Sequence, residues 1–196
     1  MQQLARGLWR WTVPHPEWSP PKEKDSPADW PQEVGSVAYD AGGTLVLVDP
    51  LIRADGWDRL DELAHGKHVR VLTTIGFHRR SRSAVVDRYR ATASNARATL
   101  PEGVDLIPIH GAGERMVWLP EHRALVPGDR ILGGRRGGLR VCPDSWLRYL
   151  RGRITPDGLR QELRKLLELP IRMVLVSHGE PVLRNGRAAL KRALAK

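Results

Sequence analysis

Residues 171–182 read IRMVLVSHGEPV, and this stretch decides the fold more than any other part of the chain. The apolar run over 171–176 predicts a buried strand, which Ser177, His178 and Gly179 bring to an end. A polar residue directly after such a strand lies at the rim of a layered α/β fold, where ligands tend to bind. We therefore take His178 as a candidate site residue.

The same placement recurs four times upstream. Predicted strands over 45–48, 69–73, 107–109 and 124–126 are followed by Asp49, His78, His110 and Asp129. Imidazole and carboxylate groups gathered at one rim suit zinc, iron or manganese. Taken singly, each of these residues is also a common cap or turn residue, so spacing alone does not decide between the two interpretations.

Length and element order indicate the fold class. The chain has 196 residues, which predicts a single domain over 1–196. Predicted strands come first as hairpins and then alternate with helices. This mixture favours an α/β (α+β) protein with two sheets, or one mixed sheet, and helices outside.

Composition limits the compartment. The sequence has no apolar run of about 18 residues, so we expect no membrane span. Residues 1–6 lack the apolar segment of a signal peptide. Cys142 is the single cysteine, which rules out an internal disulfide and favours the reducing cytoplasm.

The chain is strongly basic, with a formal net charge of +10 and a pI of about 10.6. One interpretation is a polyanionic partner such as nucleic acid. The other is an arginine-rich composition spread over solvated helix faces. No block of five or more basic residues occurs, which favours the second interpretation.

Residues 1–33 combine four tryptophans with six prolines. One hypothesis makes this segment a flap over the cleft or the contact of a homodimer, because aromatic residues are enriched at interfaces. The other makes it a strap that protects a sheet edge and completes the core, and we favour that one. His15 lies in this segment, but no pattern shows that it reaches a site.

Four stretches resemble the metallo-β-lactamase fold. They are the hairpin over 35–50 that ends at Asp49, the segment from His110 to Pro120, the segment over 124–129 that ends in Gly128-Asp129, and Ser177-His178-Gly179-Glu180-Pro181. Order and spacing agree over about residues 34–195, and the last two stretches are the most specific. The resemblance implies a four-layer αββα sandwich in a small, single-domain version.

One motif of that family is missing. The family carries Thr-His-x-His-x-Asp-His after the strand predicted at 69–73, where this chain has TIGFHRR over 74–80. If Thr74 is the threonine of the motif, apolar and arginine side chains fill all four ligand positions and His78 falls on a spacer. A slip of one residue places His78 at the aspartate position instead.

The resemblance implies a reduced metal site. In the family, the position of His110 belongs to a first metal and that of His178 to a second, and the position of Asp129 bridges them. With His78 turned inward, one divalent metal, zinc above others, would bind all four residues; without His78, three ligands remain and the affinity is lower. A site that binds no metal at all is the other alternative. His78 and Asp129 are then the candidate catalytic groups. Asp49 is expected to contact the side chains that bind the metal rather than the metal itself.

Two arginines follow His78. Arg79 and Arg80 would place positive charge where a second metal sits, which argues against a two-metal centre. They could instead hold a phosphate or carboxylate, or lie exposed in water at the start of a helix.

Three functional hypotheses remain, in this order. The first is a degenerate site, non-catalytic or reused to bind a small anionic ligand or a partner in the old cleft. The second is a hydrolase with one metal, acting on esters, thioesters, lactones or phosphodiesters. The third, well below these, is a nucleic-acid-binding protein, motivated by the charge.

Overall fold

The computed structural model describes residues 1–134, 137–150 and 152–195. Within these ranges the first sheet has six strands that lie side by side in chain order. They are β1 (Gln2–Ala5), β2 (Leu8–Pro14), β3 (Glu33–Asp40), β4 (Thr44–Val48), β5 (His68–Leu72) and β6 (Thr92–Ala93). The first four strands pair antiparallel, while β4, β5 and β6 run parallel.

The parallel strands are joined by helices, because a parallel connection has to cross over the face of the sheet. Helix α1 (Trp57–Ala64) joins β4 to β5, and α2 (Arg82–Tyr89) joins β5 to β6. Both helices cover the same face of the sheet, where their buried residues pack against those of the strands.

The second sheet has four strands, in the spatial order β12-β9-β8-β7. They are β7 (Asp105–Ile109), β8 (Glu114–Leu119), β9 (Ala124–Val126) and, from much later in the chain, β12 (Met173–Val174). Strands β8 and β9 form a hairpin around the short 3-10 turn Pro120–His122, and β12 joins β9 in parallel. A separate hairpin consists of β10 (Ile131–Gly133) and β11 (Leu139–Val141).

The outer face of the second sheet is covered by α3 (Pro156–Arg164), α4 (Gly186–Leu194) and the 3-10 helix Asp144–Leu150. The start of α3 follows directly from its sequence: Thr155 accepts a hydrogen bond from the backbone N–H of Gly158, and Pro156 occupies the first turn. No helix of the described ranges is both long and apolar enough to cross a membrane.

Alternating burial along the strands builds the layers. Leu45 and Leu47 face α1 and α2, whereas Val46 and Val48 face the second sheet. The core between the sheets also contains residues of β8, β9 and the strand region around β12: Val117, Leu119, Ala124, Val126, Met173 and Leu175. The predicted four-layer αββα sandwich is thereby confirmed.

The tryptophan- and proline-rich segment has two parts. Leu8–Pro14 is β2, which pairs along its whole length with β3. Residues 15–32 form a loop whose ends are tied by a hydrogen bond from the N–H of His15 to the carbonyl of Gln32 (2.8 Å). Within the loop, the Trp18 indole donates to the carbonyl of Trp30 (2.8 Å). The segment therefore adds a strand to the sheet and also contains a folded loop that joins the ends of β2 and β3.

Candidate metal site

Asp49 anchors the site from the end of β4. It is buried, and its backbone adopts a left-handed conformation at φ 47°. Its carboxylate accepts hydrogen bonds from the backbone N–H of Thr74 (2.8 Å) and from the Thr74 hydroxyl. These bonds tie the loop after β5 to the end of β4. The remaining contact of the Asp49 carboxylate is with His78.

His78 lies in that loop and is buried. Its backbone N–H donates to the carbonyl of Ile75 (2.9 Å), which closes the turn and directs the ring inward. Nδ1 lies 2.9 Å from Asp49 Oδ2, and Nε2 lies 3.0 Å from Asp129 Oδ1. The imidazole is thus held between two carboxylates, one at each nitrogen.

Asp129 follows β9 in a turn that is organised by Glu114. The buried carboxylate of Glu114, at the start of β8, accepts the backbone N–H groups of Gly128 (3.0 Å), Asp129 (2.8 Å) and Arg130 (3.0 Å). A Cβ at Gly128 would lie 2.6 Å from the Thr74 hydroxyl, so only glycine fits there. Glu114 therefore sets the direction in which Asp129 points.

His178 follows β12 and is the second histidine that reaches Asp129. The carbonyl of neighbouring Ser177 accepts from the Gly35 N–H (2.7 Å), and that of His178 accepts from the Gly133 N–H (2.8 Å). His178 is buried, and its Nε2 lies 3.3 Å from Asp129 Oδ1. Two imidazoles from distant parts of the chain therefore meet at one carboxylate oxygen.

The charges of the group are interdependent. Burial alone would lower the pKa of His78, but the carboxylates of Asp129 and Asp49 raise it to about 9. Burial lowers the pKa of His178. Burial would raise the pKa of Asp129, but the charge of His78 and the contact with His178 hold it well below its usual range. Asp129 is therefore an anion at neutral pH.

The two arginines have different surroundings. Arg79 is exposed, as the water-facing alternative predicts. Arg80 turns inward and donates to the carbonyls of Gly35 and Asp49 (both 2.8 Å) and to the Ser177 hydroxyl (2.6 Å). Its guanidinium joins the strand ends that carry the site, so these contacts differ from the anion-binding role that the sequence suggested for it.

His110, predicted as the fourth metal ligand, does not lie with His78, Asp129 and His178. It is exposed, and its backbone N–H lies 3.3 Å from a carboxylate oxygen of Glu162 on α3. The following Gly111 has φ 76°, and a Cβ there would lie 2.8 Å from the carbonyl of Arg153. The chain turns sharply where it packs on that carbonyl. The expected set of four ligands is therefore reduced to three.

A cavity of about 460 Å³ opens beside the three side chains. His78, Asp129 and His178 all line it. The rest of its wall includes Trp30 and His15 from the N-terminal loop, as the flap hypothesis suggested, and Trp146 and Tyr149 from the 3-10 helix, which the sequence did not connect with the site. The rings of Trp30 and Trp146 lie 5.6 and 6.0 Å from that of His178.

These elements define an αββα sandwich in which two imidazoles and one carboxylate, side chains of the kinds that bind metals, lie close together. Solved structures with the same architecture identify the fold. VMB-1 is 14% identical to the chain with a TM-score of 0.63, covering 99% of this chain and 94% of its own. An NDM/FIM-1-like metallo-β-lactamase from Erythrobacter litoralis, solved in a mono-zinc form, is 19% identical with a TM-score of 0.61, covering 99% and 94%.

A metallo-β-lactamase family protein from Thermus thermophilus is 16% identical with a TM-score of 0.55, and the match covers 98% of this chain and 80% of that one. No protein-family model and no curated protein matches the sequence. The chain has the metallo-β-lactamase fold, as the resemblance of its four stretches implied.

The three side chains fit a metal ion. One candidate ligand atom from each of His78, Asp129 and His178 lies within 4.8 Å of the other two. Two ligands of a tetrahedral zinc ion, each at about 2.0–2.1 Å, lie about 3.3 Å apart. The separations from Asp129 Oδ1 to the two Nε2 atoms, 3.0 and 3.3 Å, are close to this value.

An unsatisfied oxygen supports the same conclusion. Among the described residues, Asp129 Oδ1 is buried and makes no hydrogen bond of acceptable geometry, although two ring nitrogens lie close to it. A buried charged oxygen without a partner is costly, and a cation at the point where the three groups converge would satisfy it.

Proposed function

We propose that this protein is a hydrolase that uses a single divalent metal ion, zinc above others, held by His78, Asp129 and His178. The observation that carries the proposal is the convergence of two imidazoles and one carboxylate on the wall of a cavity. This ligand set suits zinc, and three protein ligands with an open fourth position are typical of catalytic rather than structural zinc.

Asp49 supports His78 in the way that metal-bound histidines are commonly supported. When Nδ1 donates its proton to Asp49 Oδ2, at 2.9 Å, the Nε2 lone pair is free to face Asp129 and the metal position. Thr74 fixes the Asp49 carboxylate through two hydrogen bonds. The ring of His78 is thus held in one orientation, with Nδ1 directed at Asp49, before any ligand arrives.

Asp129 supplies the negative charge of the set. Its carboxylate is held from behind by the Glu114 turn, and its low pKa keeps it ionised. A divalent metal here would act as a Lewis acid and lower the pKa of a bound water towards 7. Because Asp129 and the two histidines line the cavity, a metal ion that they hold would face a ligand in the cavity.

The surroundings favour one metal over two. Arg80 places a guanidinium against the ends of β3 and β4. Its charge opposes the rise in the pKa of His78 and adds to the fall in the pKa of His178, which burial mainly causes. Each unit of positive charge placed 4 Å from it would meet a repulsion of about 4 kcal/mol at an effective dielectric near 20, and a second divalent metal would meet about twice that. His110 does not reach the group.

A non-catalytic role is the second candidate, and one observation favours it. His78 lies between two carboxylates, which raise its pKa to about 9, so a protonated His78 could balance their charge without a metal. The cavity would then bind a small ligand. The contacts of Arg80 with carbonyl oxygens argue against that arginine as the anchor of an anion.

Two measurements on the same protein separate these functions. Protein stripped with a chelator is titrated with Zn²⁺ by calorimetry, and the loaded protein is assayed with one ester, one thioester, one lactone and one phosphodiester. We expect one zinc per chain and turnover of at least one substrate class. His178→Ala should abolish both, whereas the matched variant His110→Ala should keep both. Absence of zinc binding in the parent protein would refute the proposal.

A further inference from the structure

The walls of the cavity carry aromatic rings from three separate segments of the chain. Trp30 comes from the N-terminal loop, Phe77 from the loop after β5, and Trp146 and Tyr149 from the 3-10 helix. Trp30 and Trp146 flank His178 on the inner side. These rings are assembled by the tertiary fold rather than by any local motif, and they surround the three candidate ligands.

Two of these rings are unusually exposed. Phe77 is 65% exposed and Tyr149 is 43% exposed, although both are large apolar side chains. Their rings meet edge to face, with centroids 4.9 Å apart, at the margin of the cavity. Burial in the core therefore does not account for Phe77, and a flat group entering the cavity would cover both rings.

The indole and guanidinium donors of the wall either contact protein acceptors or, like Arg80 Nε, are buried away from the cavity. The Trp146 indole donates to the carbonyl of Ser26 (3.0 Å), so this side chain offers its ring rather than a donor. Arg80 donates to two carbonyls and a hydroxyl. Arg130 is fully buried and donates to the carbonyl of Ala112 (3.2 Å) and to the Tyr149 hydroxyl. Neither arginine therefore offers a free pair of guanidinium N–H groups to an anion.

Both nitrogens of His78 already face the carboxylates of Asp49 and Asp129, so the charge that the wall leaves open to a ligand is negative. Glu17 is exposed in the N-terminal loop and lines the cavity, and Asp129 forms part of its wall. An anionic ligand would therefore meet carboxylates and apolar rings, and would lose its hydration without gaining a free cationic partner from the protein. An uncharged, flat ligand meets no such penalty and gains stacking and edge-to-face contacts.

From this we infer that the site takes uncharged carboxylic esters, thioesters or lactones that bear a flat aromatic or conjugated group, and not phosphodiesters. The type of bond that is cleaved rests on the proposed function. The preference for a flat group rests on the cavity alone. The flat group lies between the Trp30 and Trp146 wall and the Phe77 and Tyr149 margin. The carbonyl then faces Asp129 and the two histidines. The cavity volume, about 460 Å³, is in the range of small-molecule sites.

The test uses ligands that cannot be hydrolysed and protein that has been stripped of metal. 2-Acetylnaphthalene is flat and neutral, 2-naphthoate is flat and anionic, and cyclohexyl methyl ketone is neutral but not flat. Dissociation constants come from saturation-transfer NMR. We expect 2-acetylnaphthalene to bind at least about tenfold more tightly than either of the others, given the cost of burying an unpaired charge and the gain from aromatic contacts.

Variants of the margin assign the binding to this cavity. Phe77→Ala should weaken binding of 2-acetylnaphthalene by about 2- to 12-fold, the worth of one aromatic contact. Phe77 is exposed, so the variant should keep the stability of the parent. Leu183→Ala is the matched control, because Leu183 is also exposed (39%) and is not among the residues that line the cavity; it should bind as the parent does.

Equal or tighter binding of 2-naphthoate would overturn the inference in favour of an anion site. An unchanged affinity in Phe77→Ala would overturn it as well, because binding would then lie elsewhere. The proposed function fails separately: a protein that binds 2-acetylnaphthalene in this pattern but takes up no zinc refutes the one-metal hydrolase and supports the cavity assignment. A protein that takes up one zinc but does not bind the ketone supports the metal centre and refutes the cavity assignment.

Discussion

Replacement of Glu114 tests whether the turn that carries Asp129 is held by a single carboxylate. Oε1 of Glu114 accepts the N–H of Gly128, and Oε2 accepts those of Asp129 and Arg130, all within 3.0 Å. Glu114→Ala leaves three donors without a partner in a buried region, and each unsatisfied donor costs about 1–3 kcal/mol. We expect the variant to lose about 3–5 kcal/mol of unfolding free energy.

Glu114→Gln gives a graded comparison. The amide oxygen can replace one carboxylate oxygen, but the NH₂ group then faces a donor, so at least one hydrogen bond is lost at about 1–3 kcal/mol. Glu62→Ala is the control, because Glu62 is an exposed glutamate in a surface ion pair with Arg59, and its loss should change stability by less than about 0.5 kcal/mol.

The assay is urea denaturation followed by tryptophan fluorescence, with zinc titration of the folded variants. Glu114→Gln should also bind zinc more weakly, because Asp129 loses part of its orientation. If Glu114→Ala unfolds within about 1 kcal/mol of the parent with an unchanged denaturant dependence, the three hydrogen bonds do not support the turn as described.

Three further predictions concern the neighbouring groups. Asp49→Asn should keep the fold but weaken zinc binding by about 10- to 100-fold, because the amide oxygen stays with the Thr74 N–H and the NH₂ group then faces His78 Nδ1; calorimetric titration measures this, and an unchanged affinity would contradict it. Arg80→Met should destabilise the protein by about 2–4 kcal/mol in urea denaturation, since two strand-end carbonyls lose their donor, and a neutral effect would show that water replaces the guanidinium. Burial raises the pKa of Cys142 to about 11, so the thiol should resist a disulfide reagent at pH 8 until urea unfolds the chain, and rapid labelling of the folded protein would count against this burial.

The fold could be predicted from sequence because its signals are local. Apolar runs that alternate with turn residues predict strands such as β4 and β9, and the polar residue after each run marks the rim of the sheets. Asp49, Asp129 and His178 lie where this rule expects them. The rule does not depend on exact boundaries: the strand predicted over 171–176 pairs regularly only over Met173–Val174, yet His178 still reaches the rim.

The rule that a polar residue after a strand lies at the rim of the sheets is wrong for His110. His110 follows β7 directly, but the left-handed turn at Gly111 packs on the carbonyl of Arg153 and leaves His110 exposed. The contact partner lies about 40 residues away in the chain. No pattern near His110 reveals that contact.

Other parts of the site depend on contacts of this long-range kind. Glu114 binds backbone groups 14 to 16 residues later, and nothing in its own neighbourhood distinguishes it from a surface glutamate. Arg80 occupies a position that motif spacing assigns to a ligand or an anion, yet its partners are carbonyls of Gly35 and Asp49. The N-terminal loop lines the cavity with Trp30, although the sequence favoured a strap over the sheet edge.

The most direct test of the one-metal centre is zinc-edge X-ray absorption on protein loaded with one equivalent of Zn²⁺. We predict a first shell at about 2.0–2.2 Å that contains two imidazole nitrogens and at least one carboxylate oxygen. Outer-shell scattering should correspond to two imidazole rings and should stay at two in His110→Ala, whereas His178→Ala should retain no zinc after desalting. A shell with three imidazoles or a sulfur, or a sample that retains no zinc after desalting, would contradict the one-metal centre.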